Sequence, residues 1–317
     1  MKRFALIGAA GYIAPVHMKA IRETGNHLVA AFDLHDSVGV MDNYFPAADF
    51  FTEFERFDRH IHKLSRQHNT AAVDFISICS PNYLHDSHVR FALRSNTDAI
   101  CEKPVVLNGW NIDALQSIEK DTGQKVYTVL QLRLHPSVMA LKELLLHAPA
   151  ESSYDVDLSY ISARGNWYIN SWKGDEQKSG GVVTNIGIHF FDMLCYVFGK
   201  VVKNTLHYRN DYRAAGYMEF EKARVRWFLS VDAADLPLET KEKSKRIFRS
   251  ITMNGKEIDF SDGFNELHTL LYQDILAGGG FGLEESRPAI EAVSAIRHQS
   301  PAGIRGDYHP FLIKYKA

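Results

Sequence analysis

The chain opens with a compact apolar run, Arg3 to Gly8, followed by a second glycine at Gly11 and a helix-spaced stretch from Ala14 to Glu23, with Pro15 in its first turn. No other feature constrains the fold as much. A strand that feeds a helix through a tight glycine turn is the opening unit of a parallel sheet, because parallel neighbours need a crossover of a dozen or more residues. Glycine lets backbone approach a ligand closely, and the helix N-terminus offers free N–H groups and positive potential, so such a turn suits a dinucleotide pyrophosphate. The spacing here is G-x-x-G-x-x-A and not G-x-G-x-x-G, and a purely structural turn would use the same glycines. Leu28 to Phe32 reads as a second strand, and Asp33 stands at its end, 22 residues after Gly11. A carboxylate there accepts bonds from ribose hydroxyls and repels a 2′-phosphate, which favours NAD over NADP. Gly8, Gly11, Tyr12, Ile13 and Asp33 form the first candidate cofactor set.

The alternation continues. Phe54, Phe57, Ile61 and Leu64 place a helical stripe within Glu53 to His68. Val73 to Cys79, Asp98 to Cys101 and Val126 to Leu132 read as strands, separated by helices near Ser87 to Arg94 and around Ile112, Leu115 and Ile118. This predicts an α/β Rossmann domain with a doubly wound parallel sheet over residues 1–134. The pattern then changes. Val156, Leu158 and Tyr160, and later Val225, Trp227, Leu229 and Val231, recur with period two. Asn254-Gly255 between two short runs is a strong hairpin signal. Residues 135–317 are therefore expected to form a second α/β domain with a mostly antiparallel open sheet, closed by helices over His268 to Ala277 and Arg287 to His298.

Charge narrows the partners. Lys plus Arg is 36 and Asp plus Glu is 38, a net of −2, which removes the electrostatic reason to expect nucleic acid or an anionic membrane. No apolar run reaches the ~20 residues of a membrane helix, and the N-terminus reads as a strand and not a signal peptide. Three cysteines, Cys79, Cys101 and Cys195, are too few for a disulfide framework and fit reduced thiols in a cytoplasmic protein. His60, His62 and His68 lie on a surface helix with no acidic or thiolate partner at ligand spacing, and no metal is expected.

Two further places carry chemistry. Ser80, Pro81, Asn82 and His85 follow the Val73–Cys79 strand, and Glu102-Lys103-Pro104 follows the Asp98–Cys101 strand. Ligands collect at the carboxyl ends of parallel strands. A lone Lys-Pro is often solvated, but beside a dinucleotide Lys103 is a candidate to bond the oxygen of a reacting alcohol. In the second half, Ser179-Gly180-Gly181 leads into an apolar helix, Ile188 to Phe198, bearing His189 and Asp192. Asn185 and His189 are four apart, which on one helix puts both on one side. His189 is either a packed core histidine or the group that takes a hydroxyl proton near neutral pH. Arg133 and His135 are expected near the cleft, His135 alternatively as a helix-start residue before Pro136.

These residues resemble the Gfo/Idh/MocA oxidoreductases along the full chain: the glycine turn, Glu102-Lys103-Pro104, and Gly180-Gly181 followed by Asn185 and His189. The strings Cys79-Ser80-Pro81-Asn82-Tyr83-Leu84-His85, Arg164-Gly165-Asn166-Trp167-Tyr168 and Ser171-Trp172-Lys173-Gly174-Asp175 look like its WlbA/WbpB-type branch, the UDP-N-acetyl-2-amino-2-deoxy-D-glucuronate 3-dehydrogenases. The resemblance implies NAD-dependent oxidation of the sugar 3-hydroxyl in O-antigen biosynthesis, with 2-oxoglutarate as a candidate hydride acceptor, and a homotetramer. It puts Lys103 and His189 on catalytic positions. It extends the cofactor set to Ser80, Pro81, Asn82, His85 and Glu102. Many relatives carry Asp where this chain has Asn185. Arg164 and Lys173 offer donors to a carboxylate or diphosphate, and Trp167, Tyr168 and Trp172, with Ser171, suit a sugar or uracil. The same aromatics would otherwise pack on the domain below. A non-catalytic NAD-binding regulator, an NAD-dependent glycosidase and a cyclitol dehydrogenase share this fold and are the rival functions.

Overall fold

The computed structural model describes residues 1–66, 72–149, 151–260, 264 and 266–315. His68 and the end of the helix expected through it lie outside these residues. The chain forms two compact units, one of Met1–Gln131 with Asn265–Arg287, the other of Leu132–Phe264 with Pro288–Ala317.

The first unit is a parallel sheet of strands β1 (Arg3–Ile7), β2 (His27–Phe32), β3 (Asp49–Phe51), β4 (Phe75–Ile78), β5 (Asp98–Cys101) and β6 (Val126–Thr128), in the order β3-β2-β1-β4-β5-β6. Its crossovers are helices α1 (Ala14–Glu23), α2 (Phe54–Arg66), α3 (His85–Arg94) and α4 (Trp110–Thr122). The strand order reverses between β1 and β4, the position where open α/β sheets bind ligands. β1, β4 and β5 are almost wholly buried, as strands covered on both faces must be. β3 has only three residues and no apolar run of its own, so sequence pattern assigned it no residues. β6 is shorter than expected: the chain leaves the sheet after Thr128 and makes a 3-10 turn over Gln131–Leu134.

The second unit holds α5 (Pro136–Leu146), β7 (Tyr154–Ser162), α6 (Trp167–Asn170), α7 (Glu176–Ser179), α8 (Gly181–Asn185), α9 (Ile188–Phe198), β8 (Val201–Arg209), β9 (Arg213–Phe220), β10 (Ala223–Ser230), α10 (Leu238–Glu242), β11 (Ile247–Met253) and β12 (Lys256–Glu257). The sheet runs β12-β11-β7-β10-β9-β8, antiparallel except for β7 beside β10. The period-two pattern has a direct cause. Tyr160 and Trp227 meet Phe190 and Phe191 of α9 on one face. On the other, Ile161 and Phe228 pack with Leu312 and neighbouring residues of the C-terminal tail, while Arg226 and Asp157 pair at 2.6 Å further along. Asn254 (φ 50) and Gly255 (φ 76) make the β11–β12 turn that their pairing demands.

Helix α11 (Leu267–Leu276) belongs to the first unit, and the boundary between units falls inside α12 (Leu283–Arg297). α12 starts four residues before the expected Arg287, with Pro288 inside it. The reason is capping: Glu285 Oε2 accepts the Gly282 N–H at 3.0 Å, and Leu283 is buried. No single described helix is long and apolar enough to cross a membrane.

Candidate functional site

In the first unit, register alone assembles the edge. Ile7 pairs with Phe32 and with Ile78, and Ile78 pairs with Cys101. The residues one step further, Asp33, Gly8, Cys79 and Glu102, therefore form a row along the carboxyl edge. Gly8 has φ +90, and a Cβ there would lie 2.6 Å from the Cys79 carbonyl carbon. A Cβ on Gly11 would come within 3.0 Å of the Gly8 oxygen. Both glycines are thus dictated by backbone-on-backbone approach, which leaves a bare turn before the ten-residue helix α1. No side chain caps that helix and no acid occupies its first turn. Asp33 Oδ2 accepts the Ala10 N–H at 2.9 Å and Oδ1 accepts the His35 N–H at 2.9 Å, so the turn and the carboxylate are held as one piece. Tyr12 is 94% exposed. This side-chain-free cradle beside a fixed carboxylate fits a dinucleotide.

Ser80 and His85, expected beside the cofactor, also brace the edge from within. Both are buried. Ser80 Oγ is 2.8 Å from His88 Nδ1. His85 Nδ1 lies 2.7 Å from the Pro104 carbonyl oxygen and Nε2 lies 2.7 Å from that of Ser80. The ring therefore ties the loop after β4 to the loop after β5, the one bearing Lys103. Burial lowers its pKa, with the two carbonyl oxygens pulling the other way. Pro81 and Asn82 open the short 3-10 turn that leads into α3.

Glu102 points inward. Its Oε1 lies 3.0 Å from His17 Nε2 and 3.2 Å from His268 Nε2. His17 Nδ1 is 2.8 Å from the Tyr272 hydroxyl, which is 2.6 Å from Ser77 Oγ. All five residues are buried. The three donor atoms of His17, Glu102 and His268 are close enough to surround a cation, within 4.8 Å of one another. Each is nevertheless occupied by a hydrogen bond of this internal chain. Burial pushes the Glu102 carboxyl up, but the bonds from His17 and His268 more than offset it and hold the group well below the usual range. Burial lowers the pKa of His17, opposed by Glu102. Lys103 is half-buried; burial lowers its pKa and the Glu102 charge opposes that.

In the second unit, α8 and α9 are not one helix. They bend by 50° at Ile186–Gly187, where a Cβ on Gly187 would overlap the Val183 carbonyl and come within 2.5 Å of Leu229. Asn185 and His189 consequently sit on different helices, contrary to the shared face that their spacing predicts. Asn185 Nδ2 donates to the Tyr168 hydroxyl at 2.5 Å. Tyr168 is 2% exposed, so it is a core residue that orients Asn185 and not an open sugar platform. His189 is half-buried in the first turn of α9 and is not sealed in the core. One turn on, Asp192 makes a two-point buried ion pair with Arg133, at 2.7 and 3.0 Å. Arg133 is thus a buried cation with its charge matched by Asp192. His135 caps α5, accepting the Ser137 N–H at 3.2 Å.

Arg164 and Trp167 are exposed, and Lys173 Nζ lies 4.1 Å from the Trp172 ring centroid. Ser171 Oγ bonds locally to the Tyr168 carbonyl oxygen at 2.8 Å. Sequence reading missed Arg249 on β11. Its guanidinium carbon lies 4.0 Å from the Phe264 ring and 5.8 Å from that of Tyr160, on the α9 side of the sheet. Its Nε has no hydrogen-bond partner among the described residues, and burial lowers its pKa.

Comparison with known proteins agrees with both halves. Residues 2–130 match the oxidoreductase family, NAD-binding Rossmann fold, and residues 152–238 match the oxidoreductase family, C-terminal alpha/beta domain. The chain is 48% identical to the WlbA (WbpB) dehydrogenase from Thermus thermophilus, covering 98% of this chain and 100% of that one. The TM-score is 0.94 for its complex with NAD and alpha-ketoglutarate and 0.93 for its complex with NAD and UDP-GlcNAcA. It is 25% identical over 203 residues to inositol 2-dehydrogenase of Rhizobium meliloti, covering 62% of this chain and 55% of that protein. The chain spans about half the length of such curated relatives, or less. With the glycine cradle, Asp33 and the Glu102-Lys103-Pro104 edge in place, the chain belongs to the Gfo/Idh/MocA oxidoreductase family, and its first unit is that family's NAD-binding domain.

Proposed function

We propose that this protein oxidises the 3-hydroxyl of UDP-GlcNAcA to a ketone with NAD, and that 2-oxoglutarate can take the hydride back. The observation that carries this reading is the 48% identity, over essentially the whole of both chains, to a dehydrogenase crystallised with NAD and with that sugar nucleotide. Gly8, Gly11, Tyr12, Ile13 and Asp33 hold the dinucleotide, with the edge from Ser80 to Asn82 and Glu102-Lys103 beside it. NAD, when bound, supplies the acceptor for the hydride leaving C3. Lys103 Nζ and a ring nitrogen of His189 hold the 3-hydroxyl, and one of them takes its proton. Asn185, fixed by Tyr168, adds a neutral amide to the sugar site. Arg164, Trp167, Ser171, Trp172 and Lys173 bind the uronate and nucleotide, and Arg249 adds a cation for one of the substrate's anionic groups. A cytoplasmic homotetramer working in O-antigen biosynthesis completes the reading.

The test is direct. Purified protein with NAD and UDP-GlcNAcA should form NADH and a ketone two mass units lighter than the substrate, and 2-oxoglutarate should become 2-hydroxyglutarate. Release of a free hexose without net NADH would point to a glycosidase, and no change in either assay would reject the reading. Lys103→Ala and His189→Asn should each cut turnover far more than NAD affinity.

A further inference from the structure

The hydrogen bonds around Glu102 run in one direction only. Both imidazole Nε2 atoms face the same carboxylate oxygen, an acceptor, so each carries its proton there. His17 Nδ1 is then an acceptor, and the Tyr272 hydroxyl must donate to it. That leaves Ser77 to donate to Tyr272. The carboxylate thus accepts from two rings, and the Tyr272 and Ser77 hydroxyls continue the buried chain behind His17. Half-satisfied buried networks are costly, and a complete one fixes its members in place.

Glu102 is also the residue before Lys103. His17 from α1 and His268 from α11 touch its carboxylate, and its charge is also felt at Tyr272 of α11, Cys79 after β4, Cys101 on β5, His85 of α3 and Lys103 itself. Lys103 is the lysine among them and the next residue in the chain. A negative charge in this low-dielectric interior acts on Lys103 with little screening.

We propose that Glu102 is a positioning residue whose carboxylate, clamped by His17 and His268, is the fixed counter-charge that keeps Lys103 an ammonium. This deepens the dehydrogenase reading above and rests on it for one consequence. Lys103 then donates to the substrate oxygen and stabilises the alkoxide as the hydride departs, and His189 takes the proton.

The experiment follows the lysine itself, without NAD or substrate. Competitive acetylation of the apoprotein across pH, read at Lys103 by mass spectrometry, reports its protonation. Wild type should show Lys103 still mainly protonated at pH 7, with a midpoint below that of an ordinary lysine. Glu102→Gln, which keeps the shape and loses the charge, should be acetylated at Lys103 roughly three- to tenfold faster at pH 7. Tyr272→Phe keeps the charge and removes only a link of the clamp, and should stay within about twofold of wild type. A wild-type midpoint below neutrality, an unchanged rate in Glu102→Gln, or an equal rise in Tyr272→Phe would each overturn the proposal. The wild-type midpoint decides the matter even if Glu102→Gln does not fold. A parallel NADH assay separates the two readings: wild type inactive on UDP-GlcNAcA removes the proposed substrate and leaves the Lys103 result standing.

Discussion

His85 Nδ1 stands 2.7 Å from the carbonyl oxygen of Pro104, so a ring at the start of α3 holds the backbone beside Lys103. The contact is buried and its loss cannot be made good by water without cost. His85→Ala should lower stability by about 1–3 kcal/mol and cut turnover roughly ten- to hundredfold through displacement of Lys103. His85→Gln keeps a donor and should recover part of both. Thermal melts with steady-state kinetics check this. A variant that melts lower yet keeps full turnover would show that the tie does not position Lys103.

Asp33 serves two masters. Its oxygens accept the Ala10 and His35 N–H groups, and the same carboxylate is the proposed ribose ligand. Charged hydrogen bonds contribute about 1.5–3 kcal/mol, so Asp33→Ser should weaken NAD roughly ten- to hundredfold. Loss of the charge also removes the repulsion of a 2′-phosphate, so NADP should weaken less than NAD or bind better. Calorimetric titration with both dinucleotides measures the ratio. An unchanged preference would mean that Asp33 only braces the turn.

What the sequence made legible was what short-range order determines. Each strand of the first unit ends in a turn, and parallel register then puts Gly8, Asp33, Cys79 and Glu102 side by side without further information. What it hid depends on residues far apart in the chain. The partners of Glu102 are 85 residues before it and 166 after it, and no local spacing reveals them. His17 left one trace: it shares the inward face of α1 with Ala14, Met18 and Ile21. Asn185 and His189 misled because a spacing of four implies a common face only on an unbroken helix, and this one bends at Ile186–Gly187, where only glycine fits against Val183 and Leu229. Arg133 was expected near the cleft, and its buried partner Asp192, 59 residues away, left no local trace.

Arg249 is a half-buried cation of the second unit that the sequence did not single out. Phe264 and Tyr160 shape its guanidinium's surroundings, and its Nε makes no bond among the described residues. A planar donor in such a setting suits a carboxylate or diphosphate. Arg249→Met keeps much of the stem and should raise KM for UDP-GlcNAcA and for 2-oxoglutarate by roughly ten- to hundredfold, with NAD affinity unchanged. Arg249→Lys should fall between the two. Equal KM values in wild type and Arg249→Met would reduce Arg249 to a packing residue.

Asp235 gives a pH prediction with a definite sign. Burial pushes its carboxyl up, but bonds from Lys314, Ser230, Tyr315 and Arg213 outweigh that and hold it at about 2, against an ordinary 3.8. A depressed carboxylate stabilises the fold above its unfolded pKa, and the contribution fades as pH falls from about 4 toward 2. A shift of this size is worth about 2 kcal/mol. Two of its partners, Lys314 and Tyr315, lie in the C-terminal tail that covers Ile161 and Phe228, so the loss should loosen the tail from the sheet. Trp227 is fully buried on β10 and belongs to the same unit. Urea unfolding followed by tryptophan fluorescence should find Asp235→Asn less stable than wild type by about 2 kcal/mol at pH 7, with the gap narrowing below pH 4 and nearly gone at pH 2. A gap of constant size across that range would mean that shape alone, and not charge, makes Asp235 matter, since the asparagine is blind to the protonation that disarms the aspartate.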